Sequence, residues 1–256
     1  MKVATFNCNS VRQRLPIILD WLAEYEPDVL ALQETKVEDA KFPLAEFEDA
    51  GWSVAMHGQK SFNGVAFVSR APLMDVSIGF ADPLFPDDAR IISGVLDGIR
   101  LINTYVPNGT SVGSDKFQYK LRWMERFRQM LDERYRPDQP LLWMGDINIA
   151  RTPDDVYNSR RFYGGVGHHP EEWSRLDQIL DWGLTDLFRL FNQGPGHYTY
   201  WDFIIVTAAK NNLGWRIDSI FGTEPMRSRC RSCVIDREPR FREKPSDHTF
   251  VVAEFE

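Results

Sequence analysis

The feature that most constrains the fold is a series of short apolar runs spread over the whole length of the chain. Several of these runs are apolar at successive positions instead of alternating with polar residues. Such runs are typical of strands that are covered on both faces of a sheet. We therefore predict strands at Lys2–Phe6, Asp28–Leu32, Gly64–Val68, Ile91–Val95, Leu101–Val106, Leu141–Met144, Ile217–Phe221 and Phe250–Phe255.

Three segments between the strands carry apolar residues at helical spacing. The first segment contains Leu15, Ile18, Leu19 and Leu22, and the second contains Phe117, Leu121, Met124, Phe127 and Leu131. The third segment is Pro170–Trp182. Strands outnumber helices and many follow one another directly, which favours sheets packed face to face with helices outside. Because no repeat or flexible linker interrupts the pattern, we expect an α/β protein with one domain, residues 1–256.

The charge balance leaves the type of partner undecided. A net charge of −7 discourages binding to nucleic acid, yet residues 116–136 and 226–244 each hold seven bases against three acids. Charge runs of this kind are usually solvated faces. Three cysteines argue against a disulfide scaffold, and no window approaches the roughly 18 apolar residues of a membrane span. We therefore expect a cytoplasmic protein with no membrane partner.

Polar side chains cluster where the apolar runs end. Glu34 and Asp146 each follow a predicted strand, Asp218 lies inside one, and Asp247 precedes the last one. A carboxylate beside a buried strand is costly unless a cation or hydrogen-bond donors compensate it. Any one of these acids alone is best explained as a turn cap. For all four together, one shared site that holds a hard metal ion at a sheet edge is the better explanation.

Seven sequence blocks resemble, in order, the signature motifs of the exonuclease III/apurinic endonuclease family within the endonuclease–exonuclease–phosphatase superfamily. The blocks are Phe6–Asn9, Pro27–Lys36, Gly64–Ala66, Tyr105–Gly109, Gly145–Asn148, Gly214–Asp218 and Pro245–His248. Together they span residues 6–248 and are specific for this family, whereas the Gly-Asp-x-Asn motif alone would be weak evidence for it. The resemblance implies a four-layered α/β sandwich of the DNase I-like type, with two packed mixed sheets flanked by helices.

The resemblance also implies Mg²⁺-dependent hydrolysis of phosphodiesters in double-stranded DNA, with Mn²⁺ as an alternative ion. Relatives incise on the 5′ side of abasic sites, remove 3′ blocking groups or 3′ nucleotides, and commonly act as monomers. By position, Glu34 is expected to be the main metal ligand, with Asn7 and Asp247 nearby. Asp146 is expected to orient and deprotonate the attacking water or to protonate the leaving group.

The remaining site residues follow from the same resemblance. His248 is expected to contact the scissile phosphate while Asp218 fixes its tautomer. The residues expected to hold phosphate oxygens or DNA are Asn148, Tyr105, Asn108, Asn9, Lys60 and Arg90. The residues expected to wall a pocket for a flipped-out abasic sugar are Tyr200, Trp215 and Ile217. Such a sugar lacks pairing and stacking, so its extrusion costs less than that of an intact nucleotide.

The segment from Arg151 to Pro170 departs most from the family motifs, so the sequence leaves open whether internal abasic sites or 3′ ends are preferred. Two other functions compete with the nuclease. One is a superfamily phosphatase that acts on a small phosphate ester, against which the Pro27–Lys36 and Gly214–Asp218 blocks argue. The other is a catalytically silent nucleic-acid binder, against which the presence of every expected catalytic side chain argues.

Overall fold

Twelve strands form two six-stranded sheets in the computed structural model, which describes residues 1–256. In chain order they are β1 (Lys2–Asn7), β2 (Val29–Gln33), β3 (Ser53–His57), β4 (Val65–Ser69), β5 (Met74–Ile78), β6 (Ile91–Leu96), β7 (Ile99–Tyr105), β8 (Leu141–Asp146), β9 (Thr185–Asp186), β10 (Asp218–Gly222), β11 (Cys230–Asp236) and β12 (Phe250–Phe255). The first sheet has the order β11-β12-β1-β2-β4-β3 and the second the order β5-β6-β7-β8-β10-β9. Both are mixed, because β1–β2 and β7–β8 are parallel pairs and the other pairs are antiparallel.

Seven helices connect the strands of the two sheets. They are α1 (Val11–Tyr25), α2 (Leu44–Asp49), α3 (Asp115–Arg134), α4 (Ser159–Phe162), α5 (Pro170–Leu180), α6 (Leu187–Phe191) and α7 (Glu224–Arg227). Short 3₁₀ turns occur at Asp39–Lys41, Pro153–Asp155 and Glu238–Phe241. None of the helices combines the length and the apolar character that crossing a membrane requires.

Three apolar layers hold this arrangement together. The inner layer lies between the sheets and includes Ala31, Phe67 and Met144. An outer layer joins α1 and α2 to the first sheet, and a second one joins α3 and α5 to the second sheet. Since the central strands are covered on both faces, their sequences are apolar at successive positions. The predicted four-layered, DNase I-like α/β sandwich is confirmed.

The eight predicted strands all occur, with ends that differ by at most two residues, and the three predicted helices correspond to α1, α3 and α5. Four strands, β3, β5, β9 and β11, were not predicted. Strand β5 is largely exposed at a sheet edge, β3 is half-buried throughout, and β9 has two residues. In strand β11 only the two cysteines, Cys230 and Cys233, are buried. Edge strands of this kind lack the continuous apolar signal of covered strands.

Candidate active site

The predicted site residues meet at one edge where both sheets end. Asn7 is paired with Gln33 across β1 and β2, which places Glu34 just beyond that pair. In the second sheet, Tyr105 and Asp218 are both in register with Asp146, from opposite sides of β8. The topology therefore brings residues that are distant in sequence to one edge of the sandwich.

Asn7 joins the acids of the two sheets. Its Nδ2 atom donates to Glu34 Oε1 and to Asp146 Oδ2, each at 2.8 Å. Its Oδ1 atom accepts the backbone N–H of Asn9 at 3.1 Å, which orients the amide. Asn7 thus acts as a hydrogen-bond donor between the two carboxylates, and its assignment as a metal ligand stays a prediction.

Asp146 is buried and accepts hydrogen bonds on both oxygens. Besides the bond from Asn7 to Oδ2, its Oδ1 accepts the backbone N–H of Asn148 at 2.9 Å. Burial, with the nearby charges of Asp218 and Glu34, raises the pKa of Asp146 to about 8. A carboxyl group with a pKa near neutrality is suited to exchanging protons with a reacting group.

The glycine before Asp146 is required by its surroundings. Gly145 has a φ of +137°, and a Cβ atom built on it would lie 2.0 Å from the carbonyl oxygen of Thr104. No side chain fits between β7 and β8 at this point. The close approach of the two strands therefore explains the Gly-Asp pair and fixes where Asp146 leaves the sheet.

His248 and Asp218 form a buried pair. His248 Nδ1 lies 2.8 Å from Asp218 Oδ2, and His248 Nε2 lies 3.8 Å from Asp146 Oδ2. Burial alone would lower the pKa of His248, but Asp218 and Asp146 outweigh it and raise the pKa to about 10. The imidazole is therefore protonated at neutral pH, with Nδ1–H directed at Asp218.

Asn148 and Asn108 form a linked pair of amides. Asn108 Nδ2 donates to Asn148 Oδ1 at 3.1 Å, and Asn148 Nδ2 donates to the carbonyl oxygen of Val106 at 2.9 Å. Each amide nitrogen keeps a second N–H for another acceptor. Both residues line the same cavity as Asp146.

Lys120 supports this pair from beneath and was missed by sequence reasoning. Its buried Nζ donates to the carbonyl oxygens of Asn108 and Asn148, at 3.2 and 2.9 Å, and pairs with Glu172 at 2.5 Å. The position carried a signal, because Lys120 lies on the apolar stripe of α3 between Phe117 and Met124. A lysine on such a stripe needs an acidic partner in the interior.

A cavity of about 460 Å³ opens onto these groups. The three predicted pocket residues, Tyr200, Trp215 and Ile217, all line it. Tyr157, Arg161, Phe162, Val166, Gly167, Ile205 and Leu213 line it as well, and the sequence prediction did not include them as wall residues. The ring of Phe162 lies 4.9 Å from that of Trp215 and 5.3 Å from that of Tyr157. The divergent 151–170 segment thus supplies part of the aromatic wall.

Three residues predicted to contact DNA lie outside the lining of this cavity. Asn9 donates to Asp247 Oδ1 at 2.9 Å and accepts from Lys36 at 2.5 Å. Lys60 lines a separate basic cavity. Arg90 is paired with Asp88 and lies 4.8 Å over the ring of Tyr105. Their predicted contacts with DNA stay predictions.

The acids and His248 form a cluster that fits a divalent metal ion. One ligand atom each from Glu34, Asp146 and His248 lies within 4.8 Å of the others. Burial, followed by the charges of Asp218 and Glu34, raises the pKa of Asp146, and an added cation would lower it. Oxygen-rich sites of this kind suit hard cations. Asp247 is not in this cluster but lines the same cavity, and its Oδ1 accepts hydrogen bonds from Asn9 and Ser246.

Comparison with known proteins identifies the family. Residues 4–248 match the model of the Endonuclease/Exonuclease/phosphatase family. The chain belongs to this family. Within it, the chain is 34% identical to the exodeoxyribonuclease III of Haemophilus influenzae over 268 residues, which cover 100% of both proteins.

Two solved structures of family members superpose closely on this endonuclease/exonuclease/phosphatase protein. An AP endonuclease from Archaeoglobus fulgidus is 40% identical with a TM-score of 0.96, covering 100% of this chain and 99% of the other. A 3′ phosphatase from Neisseria, solved with a product DNA hairpin, is 37% identical with a TM-score of 0.94 and the same coverage. The predicted family and the predicted hydrolase class are confirmed.

Proposed function

We propose that the protein is a DNA repair nuclease that hydrolyses phosphodiesters of double-stranded DNA, both 5′ to abasic sites and at blocked 3′ ends. The observation that carries this proposal is the bridge from Asn7 to Glu34 and Asp146, with protonated His248 beside it. This group of side chains opens into a cavity with an aromatic wall. The relatives, an exodeoxyribonuclease, an AP endonuclease and a 3′ phosphatase, are nucleases or act on DNA ends.

We propose Mg²⁺ as the working ion, with Mn²⁺ able to replace it. Glu34 would hold the ion as the main ligand, with Asp146 within reach and Asn7 and Asp247 at its margin. When bound, the ion supplies stabilisation of the negative charge that develops on the phosphate oxygens. Lys36, whose Nζ lies 2.7 Å from Glu34 Oε2, orients this carboxylate.

The chain's own residues account for the proton movements. Asp146, which a bound cation would keep ionised, accepts the proton of the attacking water. The water oxygen bonds to phosphorus as the bond to the 3′ oxygen breaks, and the departing 3′ oxygen takes a proton from solvent water. His248 donates Nε2–H to a phosphate oxygen while Asp218 holds Nδ1–H. The free N–H groups of Asn148 and Asn108 donate to further phosphate oxygens, where negative charge grows in the transition state.

The cavity supports a substrate in which one nucleotide leaves the duplex. Tyr200 connects the catalytic residues with the pocket wall. Its ring is 4.9 Å from that of His248, and its backbone pairs with that of Trp215. A sugar held against Tyr200 and Trp215 would place its 5′ phosphate next to His248. Since an abasic sugar has no base to accommodate, it fits an apolar wall that crowds out intact nucleotides.

We extend the proposal to the organisation of the protein. Both sheets contribute to one site, which supports residues 1–256 as one domain that acts as a monomer. The cytoplasmic location expected from the sequence stays a prediction.

Cleavage of end-labelled DNA tests this function. One duplex carries a single internal abasic-site analogue, and a second intact duplex carries a recessed 3′ end with a terminal phosphate. We expect incision of the first and phosphate release from the second, both abolished by EDTA and restored by Mg²⁺. A small aryl phosphate serves as a control that reports a phosphatase without DNA specificity. Folded protein that cleaves only the aryl phosphate, or neither duplex, would contradict the proposal.

A further inference from the structure

A buried pair of amides connects the two sheets directly behind the proposed site. Gln33, the last residue of β2, donates from Nε2 to Asn103 Oδ1 in β7 at 2.7 Å. Both side chains are fully buried in the layer between the sheets, which is otherwise largely apolar. This bridge is separate from the Asn7 bridge, because neither amide contacts a carboxylate.

The bridge reaches three strands of the first sheet. Gln33 Nε2 also donates to Thr5 Oγ1 in β1 at 2.9 Å. Asn103 Nδ2 donates to the carbonyl oxygens of Leu32 in β2 and Ala66 in β4, each at 2.9 Å. One side chain of the second sheet is therefore tied to the backbone of two strands in the first. An apolar pair could fill this space without the desolvation cost, so the amides are explained better by positioning than by stability alone.

Each of the two amide residues lies within two positions of a site residue in the sequence. Gln33 precedes Glu34, and Asn103 lies two residues before Tyr105, on the same face of β7. Glu34 has a φ of +50°, a left-handed conformation that is uncommon for glutamate and needs support from its surroundings. Part of that support is local, since the N–H groups of Cys8 and Ser10 donate to the carbonyl oxygens of Gln33 and Glu34. The amide bridge adds an anchor from the opposite sheet.

We propose that Gln33 and Asn103 are positioning residues that set the separation of Glu34 from Tyr105 and Asp146, and with it the affinity for the divalent ion. This inference rests on the proposed function in one respect, namely that the cluster around Glu34 binds a metal. Residues that orient metal ligands without touching the metal typically change affinity or activity by about 10- to 100-fold when they are replaced. The bridge would therefore act on catalysis from a distance, through the geometry of Glu34.

The variant Asn103→Leu tests the proposal, because leucine keeps the size of the side chain and removes the amide. We expect its dissociation constant for Mn²⁺, measured by calorimetry without DNA, to rise by about 10- to 100-fold. The Mg²⁺ concentration for half-maximal cleavage should rise in parallel. Measuring metal affinity directly separates this test from the proposed function, since it does not depend on which DNA is cleaved.

Thr104→Val is the matched control. Thr104 neighbours Asn103 on β7 but faces the other side of the sheet, where its Oγ1 accepts from Trp143 Nε1 at 2.8 Å. The control also removes one fully buried hydrogen bond, so it should lower stability while leaving Mn²⁺ affinity unchanged. If both variants weaken Mn²⁺ binding equally, the effect is one of general stability and the proposal is wrong.

A second variant tests the proposal if Asn103→Leu does not fold. Gln33→Met removes the bonds to Asn103 and Thr5 but leaves those from Asn103 to Leu32 and Ala66, and it should weaken Mn²⁺ binding in the same direction. The double variant Gln33→Asn with Asn103→Gln exchanges the two amide side chains between the sheets. It should recover the affinity for Mn²⁺. Folded single variants that bind Mn²⁺ as tightly as the wild type would overturn the proposal.

Discussion

His248 Nδ1 lies 2.8 Å from Asp218 Oδ2, and both side chains are buried at the edge where the two sheets meet. Asp218 opens β10 in the second sheet, whereas His248 precedes β12 in the first. The pair therefore depends on the packing of the sheets. It holds a protonated imidazole beside Asp146, where a phosphate would lie.

Asp218→Asn should weaken this pair at nearly constant volume. Because Asp218 is the largest contributor that raises the pKa of His248, the pKa should fall from its raised value of about 10. The alkaline limb of the pH profile, where His248 loses its proton, should move to lower pH. We expect cleavage at neutral pH to slow by about 10²- to 10⁴-fold. If neither the pH profile nor the cleavage rate changes, the His248–Asp218 pair has only a structural role.

Asp146→Asn should remove the group that accepts the water's proton. We expect kcat to fall by about 10²- to 10⁴-fold while binding of an abasic duplex, measured by fluorescence anisotropy, is retained. In the metal-free protein, the raised pKa of Asp146 means that this carboxyl group takes up its proton at a higher pH than an ordinary one as the pH falls. Turnover close to wild type in the variant would rule out this role.

Phe162→Ala should affect internal abasic sites most strongly. Phe162 lines the cavity and packs against Trp215, so its loss removes apolar wall from the sugar site. We expect kcat/KM for an internal abasic site to fall by about 10- to 100-fold, and release of a 3′-terminal phosphate to change less. Tyr163→Ala is the control, because Tyr163 follows Phe162 in the sequence but is 65% exposed and does not line the cavity. Equal losses on both substrates would argue against a sugar site at this wall.

Asp155→Asn should test the support behind Trp215 and Ile217. Between them, buried Arg216 donates from Nε to Asp155 Oδ1 at 2.7 Å, and Arg189 pairs with the same oxygen. Burial would raise the pKa of Asp155, but Arg216 and Arg189 outweigh it and lower the pKa to about 2. The variant should lose about 3 to 5 kcal/mol of unfolding free energy, measured in denaturant.

The pH dependence of this loss has a defined sign. Since the folded-state pKa of Asp155 is lowered, its stabilisation is present above the ordinary aspartate pKa and disappears as the pH falls toward 2. Wild type and Asp155→Asn should therefore converge in stability at acid pH. The neighbouring exposed Asp154, changed to Asn, should have little effect at any pH. A similar loss in both variants would contradict the assigned role of the buried pair.

Sequence motifs located the catalytic residues because each lies at or next to the end of a covered strand. The ends of such strands meet at one edge, so Glu34, Asp146, Asp218 and His248 converge as the resemblance implied. Their detailed relationships could not be derived in advance. The direction of the Asn7 amide, for example, depends on hydrogen bonds to residues 27 and 139 positions away in sequence.

The residues that sequence reasoning missed share one physical property, which is that their partners are distant in the chain. Lys120 looked like part of a solvated basic stretch until α3 placed it against Glu172 and two backbone carbonyls. Phe162 follows two arginines in a segment without family motifs, and only its packing on Trp215 brings it to the cavity. The local pattern shows that Lys120 lies on the apolar stripe of α3, but it does not identify the partners of either residue.

The most direct test of the account is incision of an internal abasic-site duplex in H₂¹⁸O, with the two new ends analysed by mass spectrometry. Attack by water that Asp146 deprotonates predicts a 3′-hydroxyl on one side. It also predicts one ¹⁸O in the 5′ deoxyribose phosphate on the other, and no product in EDTA. A 3′ unsaturated aldehyde, an unlabelled phosphate or undiminished cleavage in EDTA would contradict metal-dependent hydrolysis at this site.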